Sequence, residues 1–334
     1  MNQIASDDRG LLQALLGDGR PLLIFTGMSL LLSGAFALFL SSTGQFLPHD
    51  VQFLGMSAEE LCAIKDCRIV HFMFHDRVSF GGTLIAVGAL YMWMAEFPLR
   101  RGEVWSWWLF IVSGIIGFSS FLAYLGYGYL DTWHGLATLF LLPCFIIGLA
   151  RAYTFLPPPR PLGSLLKPSV SVRWRSPFGL GRLCLLGTAV GMILGGLTIM
   201  TVGMTIVFVP QDLTFMGITA SDLQAINPRL IPLIAHDRAG FGGGIGVCGV
   251  TVLFCVWCGT PSRSLWQVLC LTGAVGFATA IGTHPVVGYN DLGHLAPAMF
   301  GATIFILGLI LTYRPMCSKT LPFLQPEQSH NPSP

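Results

Sequence analysis

Eight stretches of this chain, roughly 21–41, 78–96, 104–126, 133–153, 183–208, 239–258, 264–282 and 293–313, are apolar, almost free of charge and long enough to cross a bilayer. In lipid a backbone must satisfy its own hydrogen bonds, so such runs fold as helices. The period-two alternation that a barrel strand requires is missing. With 53% hydrophobic and only 10% charged residues, 334 residues carry too little polar material to coat a soluble globule, and the mean hydropathy of +0.69 agrees. The expected class is all-α: a polytopic membrane protein with eight transmembrane helices in the lipid bilayer.

Basic residues near span ends are retained on the cytoplasmic side. With the N-terminus inside, thirteen Lys and Arg fall in cytoplasmic segments, whereas Lys65, Arg68, Arg77, Arg229 and Arg238 fall outside. The chain is therefore expected in the cell membrane with both termini cytoplasmic. Its net charge of +2 reads as a topology signal, and no basic patch interleaved with aromatics points to nucleic acid. The charged first twenty residues lack a cleavage site, so the first helix is expected to stay in the protein.

A repeat organises the polar residues. His75-Asp76-Arg77 and His236-Asp237-Arg238 each run into Phe-Gly-Gly, at Phe80-Gly81-Gly82 and Phe241-Gly242-Gly243. Pro48-His49-Asp50 likewise matches Pro210-Gln211-Asp212, and Tyr129, Asp131 and His134 match Tyr289, Asp291 and His294, at offsets between 160 and 162. Four spans per copy would give both copies the same orientation, a parallel tandem duplication of a four-helix bundle. The expected units are a cytoplasmic segment 1–20, a first repeat 21–155, a Pro- and Arg-rich cytoplasmic linker 156–182, a second repeat 183–314 and a disordered tail 315–334.

Seven of the eight histidines, His49, His71, His75, His134, His236, His284 and His294, fall on the outer side in this topology. Charged and imidazole groups are costly near lipid, so their concentration there marks the functional face. The repeat retains Asp50/Asp212, His75/His236, Asp76/Asp237, Arg77/Arg238, Asp131/Asp291 and His134/His294. It gives less weight to His71 and His284, which have no counterpart, and to His49, which faces Gln211. His75, Asp76, Arg77, His236, Asp237 and Arg238 are the catalytic candidates. The metal-ligand candidates are His75, Asp131 and His134 in one half and His236, Asp291 and His294 in the other.

Asp131 and His134 are three residues apart and share a helix face, so His75 is expected to meet them within its own half while Asp76 and Arg77 serve another contact. Two His and a carboxylate with an open position suit a divalent metal such as iron, manganese or zinc. His75 with His134 would alternatively suit the axial positions of haem b. Asp, His and Arg together also suit a proton or anion path. A plainer reading makes Arg77 and its Asp an ion pair and Asp131 an N-cap. Cys62 and Cys67 in an outer loop are placed for a disulfide in an oxidising compartment, whereas Cys255-x-x-Cys258 stands alone and carries little metal signal.

A span, a long outer loop with a short helix, a second span opening on Gly-Gly and a closing hairpin together resemble the layout of DoxX-like four-helix membrane proteins. Phe80-Gly81-Gly82 and Phe241-Gly242-Gly243 stand where that family has its Gly-Gly. The resemblance implies a four-helix fold for each half and a setting near a membrane redox partner or quinone; the His-Asp-Arg triplet is not part of it. The sequence as a whole points to a metal- or haem-dependent membrane oxidoreductase or electron-transfer component. The competing classes are a transporter of a small anion or protonatable solute, which the apolar middles of the spans disfavour, and a non-catalytic membrane assembly partner.

Overall fold

A computed structural model describes residues 10–120 and 128–318, and among them every regular element is helical. In chain order the α-helices are α1 (Leu11–Leu16), α2 (Arg20–Ser42), α3 (Pro48–Leu54), α4 (Ala58–Cys62) and α5 (Arg68–Met94, continued as a π-turn through Leu99). They continue with α6 (Val104–Ser120), α7 (Thr132–Phe155), α8 (Pro177–Met204), α9 (Pro210–Met216), α10 (Ala220–Ile226), α11 (Leu230–Cys258), α12 (Arg263–Val287) and α13 (Leu292–Cys317).

Seven of these, not the expected eight, are long and apolar enough to cross a membrane: α2, α5, α7, α8, α11, α12 and α13. The third expected span, 104–126, is represented by α6, whose 17 described residues fall short; the rest of that stretch lies outside the described residues. The tail beyond residue 318 also lies outside them, and α13 already occupies the stretch to Cys317.

Helix ends follow local chemistry. Ser57 caps α4 in a reciprocal box with Glu60, and Thr219 and Asp222 do the same for α10. Asp131 caps α7 through the amides of Trp133 and His134, and Asp291 caps α13 through the amide of His294. α3, α9 and α12 end on Gly55, Gly217 and Gly288, whose φ values of 66°, 64° and 81° place them in the left-handed region.

α5 and α11 start earlier than their apolar runs, at residues 68 and 230 instead of 78 and 239. Charge excluded the His-Asp-Arg motif from the predicted spans, yet both copies lie inside a helix because their polar groups are paired with one another. These two helices form the centre of the bundle. Their most apolar stretches are 78% and 67% enclosed, against 22–28% for the other five spans.

α5 packs on α2, α11 and α12, while α11 packs on α8, α5 and α6. α12 thus packs on α5, and α6 on α11, contacts that two separate four-helix bundles would not make. Lipid gives no hydrophobic drive for helices to associate, so close backbone approach through small residues must do the work. Gly27 and Gly34 of α2 meet Gly88 and Gly81 of α5, and Gly196 of α8 meets Gly242 and Gly246 of α11. At the exchanged contacts, Gly82 lies under Thr279 of α12 and Gly243 under Ser120 of α6.

A Cβ at Gly82 would overlap the Thr279 side chain, whereas one at Gly276, also on α12, meets open space. Gly82→Val is therefore expected to lower stability by about 1–3 kcal/mol through overpacking. Gly276→Val should leave it nearly unchanged. Thermal unfolding of both variants in detergent checks the contrast.

Candidate functional site

Two polar clusters lie at the end of the bundle where α5, α7, α11 and α13 begin. The first joins the halves. His75 on α5 places its Nε2 3.2 Å from Nε2 of His284 on α12, and His294 on the first turn of α13 completes a group whose ligand atoms all lie within 4.8 Å of one another. His75 Nδ1 is 3.0 Å from Asp76 Oδ1, so the carboxylate holds the proton on Nδ1 and leaves the Nε2 lone pair facing the other two rings.

Asp76 is fixed in turn. Its Oδ2 accepts from Arg238 Nε at 3.1 Å, and Arg238 Nη1 reaches Asp212 Oδ2 at 2.7 Å while donating to the Val207 carbonyl. The Tyr289 hydroxyl donates to Asp212 Oδ1 at 2.8 Å, and its ring stacks on His294 with centroids 4.6 Å apart. The shell of the three imidazoles therefore runs from Asp76 through Arg238 and Asp212 to Tyr289 and back to His294.

The second cluster exchanges the roles of the halves. His236 on α11 meets His134 on α7, with Nε2 3.1 Å from His134 Nδ1, and Asp131 Oδ2 lies 2.9 Å from His134 Nδ1 and 3.5 Å from His236 Nε2. His49 on α3 brings its Nε2 to 3.1 Å from Asp131 Oδ1, outside hydrogen-bond geometry. Arg77 reaches Asp50 Oδ2 and Asp237 Oδ2, each at 2.8 Å, and Tyr129 donates its hydroxyl to Asp50.

The electrostatics of the groups outside the spans follow from this packing. Burial works against ionisation of Asp131, but His134, His236 and His49 around it outweigh that and hold its carboxyl far below the usual range. Burial lowers the basicity of His49, yet Asp131 and Asp50 beside it reverse the balance and raise its pKa above the ordinary 6.5. Burial, reinforced by the adjoining Asp50 or Asp212, pushes the phenols of Tyr129 and Tyr289 well up, so both remain protonated donors.

The structure groups the expected residues differently from the sequence. His75 does not meet Asp131 and His134 within its own half; it meets His284 and His294 of the other, while Asp131 and His134 meet His236. His75 and His134, the pair considered for haem, thus belong to different clusters. Asp291 joins neither group: it is exposed and its Oδ1 caps α13. Asp76, Arg77, Asp237 and Arg238 form ion pairs across the halves, Arg77 with Asp237 and Arg238 with Asp76, and Asp76 also touches His75.

Two participants were undervalued. His284 has no counterpart in the repeat, yet it supplies the third imidazole; the signal the sequence holds for it is its place two residues after Gly282 and five before Tyr289. His49 was discounted because Gln211 stands opposite, yet it flanks Asp131. Cys62 and Cys67 are joined as a disulfide at this same end, and Cys255 and Cys258 are buried free thiols. Both His-rich groups have the donors to hold a metal ion. Compared with protein-family models, curated proteins and solved structures, the chain gives no match.

Proposed function

We propose that this polytopic membrane protein is a metal-dependent oxidoreductase or electron-transfer component whose centre is held by His75, His284 and His294. The observation that supports it most is the convergence of three imidazoles from three helices, one of them oriented by a buried carboxylate. A structural role for the polar groups would be met by the Arg–Asp pairs alone; it gives no reason to aim three imidazole rings at one point. Three protein ligands leave coordination positions open for a reacting molecule, as catalytic metal sites do. Phe72 and Tyr289 stand against the His75 ring and supply the low-polarity shell that tunes a bound metal.

In this reading the chain is a parallel duplication. The reciprocal pairs Arg77–Asp237 and Arg238–Asp76, each Arg also holding an Asp of its own half, support it. The clusters face the extracytoplasmic side and the termini are cytoplasmic. The Lys and Arg tally supports that orientation, as does the Cys62–Cys67 bridge, which belongs in an oxidising compartment.

Elemental analysis and visible absorption of detergent-purified protein test the reading. It expects stoichiometric bound transition metal that survives desalting and falls in His75→Ala. Protein that binds no metal when purified or after incubation with iron, copper, manganese or zinc would overturn it. A Soret band lost with His75 would instead assign haem.

A further inference from the structure

The two clusters lie at the same end of the bundle, one on α5, α12 and α13 and the other on α7 and α11, but their carboxylate content differs. Around the trihistidine group the buried carboxylates are Asp76 and Asp212, and Arg238 faces both. Asp291 is exposed to solvent. Around the other group stand Asp50, Asp131 and Asp237 with Arg77 as the single guanidinium, so it has one carboxylate more, and that carboxylate, Asp131, is itself among the converging donors. A bound cation offsets the cost of enclosing carboxylates, and a site with more of them favours a cation of higher charge.

The donors differ in the same sense. His75, His284 and His294 offer three imidazole nitrogens. Asp131, His134 and His236 offer two nitrogens and a carboxylate oxygen. His49 stands beside them, its side chain only 10% exposed and 3.1 Å from Asp131, with neither ring nitrogen in a hydrogen bond. That Nε2 is in ion-pair range of Asp131 and Asp50, which places His49 beside any ion that Asp131 holds. Imidazole donors bind copper along with zinc, iron and nickel but give manganese no carboxylate, whereas two His and a carboxylate with open positions suit iron(II) or manganese(II).

We infer that the chain holds two unlike metal centres: a copper(I) site at His75, His284 and His294, and a divalent iron or manganese site at Asp131, His134 and His236 with His49 as a fourth donor. The inference rests on the reading of these clusters as metal sites. It adds that they are not interchangeable, because one offers imidazoles alone and the other adds a carboxylate.

Metal-stripped, detergent-solubilised full-length protein is loaded with one equivalent of copper(I), with manganese(II), or with both, then desalted and analysed for bound metal. Two variants separate the sites: His284→Gln, and Asp131→Asn, which keeps a capping oxygen for α7. Size-exclusion profiles confirm that both are folded. Wild type is expected to take up one of each ion together. His284→Gln should lose copper and keep manganese, and Asp131→Asn should lose manganese and keep copper, each with affinity lowered at least tenfold. Binding of both ions with neither variant selective, or one ion displacing the other mole for mole, would overturn the inference while leaving a metal protein. Failure of every ion to bind would overturn the metal reading as well.

Discussion

Replacing His284 by alanine is expected to abolish metal binding at the proposed trihistidine site, although the repeat gave this residue the least weight of the three imidazoles. Loss of a partner behind a ligand typically weakens metal binding 10–100-fold, so loss of a ligand should cost at least about 100-fold. His294→Ala should do the same. His71→Ala, one turn before His75 on α5 and in neither cluster, should not. Asp76→Asn gives an intermediate result: the ring of His75 remains, but the acceptor that fixes its tautomer is weakened, and affinity should fall within the 10–100-fold range. Metal titration of the detergent-solubilised variants ranks them. Equal affinities for wild type and His284→Ala would remove that residue from the site.

The second large effect is on stability. Arg238 is almost wholly buried and holds one carboxylate from each half, Asp76 and Asp212. Arg238→Ala leaves both buried without a counter-charge, a change that costs about 3–5 kcal/mol when a buried pair is broken from one side. Arg238→Lys should recover only part of this, because a single ammonium cannot reproduce the fork that meets two carboxylates at once. Arg77→Ala should be milder, since its side chain and that of Asp237 are 13% and 12% exposed and water can reach them. Unfolding midpoints in detergent give the order, and a double variant, Arg238→Met with Asp212→Asn, should lie above Arg238→Ala.

The class of fold was legible because apolar length and the scarcity of charge admit little else. What the sequence hid was which helix meets which. The repeat suggests two self-contained bundles, and His75 with Asp131 and His134 is the grouping that suggestion leads to. The exchange of α6 and α12 between halves is set by Gly82 under Thr279 and Gly243 under Ser120, contacts between residues far apart in the chain that no local pattern announces. The starts of α5 and α11 were hidden for a related reason: Arg77 and Arg238 look like span boundaries until their carboxylates from the opposite half are seen.

The same exchange explains the site residues. A filter that keeps only positions present in both halves retains Asp291, which lies at the surface capping a helix, and rejects His284, which supplies an imidazole. A residue that occurs once is invisible to any test that looks for agreement between two stretches of sequence. The ion-pair reading of the Arg and Asp members held up in form. The Arg238–Asp76 pair also orients His75, so in the proposed site it acts on a bound metal through that ring.

X-ray absorption at the edge of the metal bound to Asp131→Asn protein tests the central claim most directly, because that variant leaves the trihistidine centre as the intact one. The account predicts a first shell of three nitrogens at about 2.0–2.1 Å with the outer-shell scattering of imidazole, reduced to two in the added presence of His284→Gln. A shell of oxygen alone, or a spectrum unchanged by His284→Gln, would contradict it.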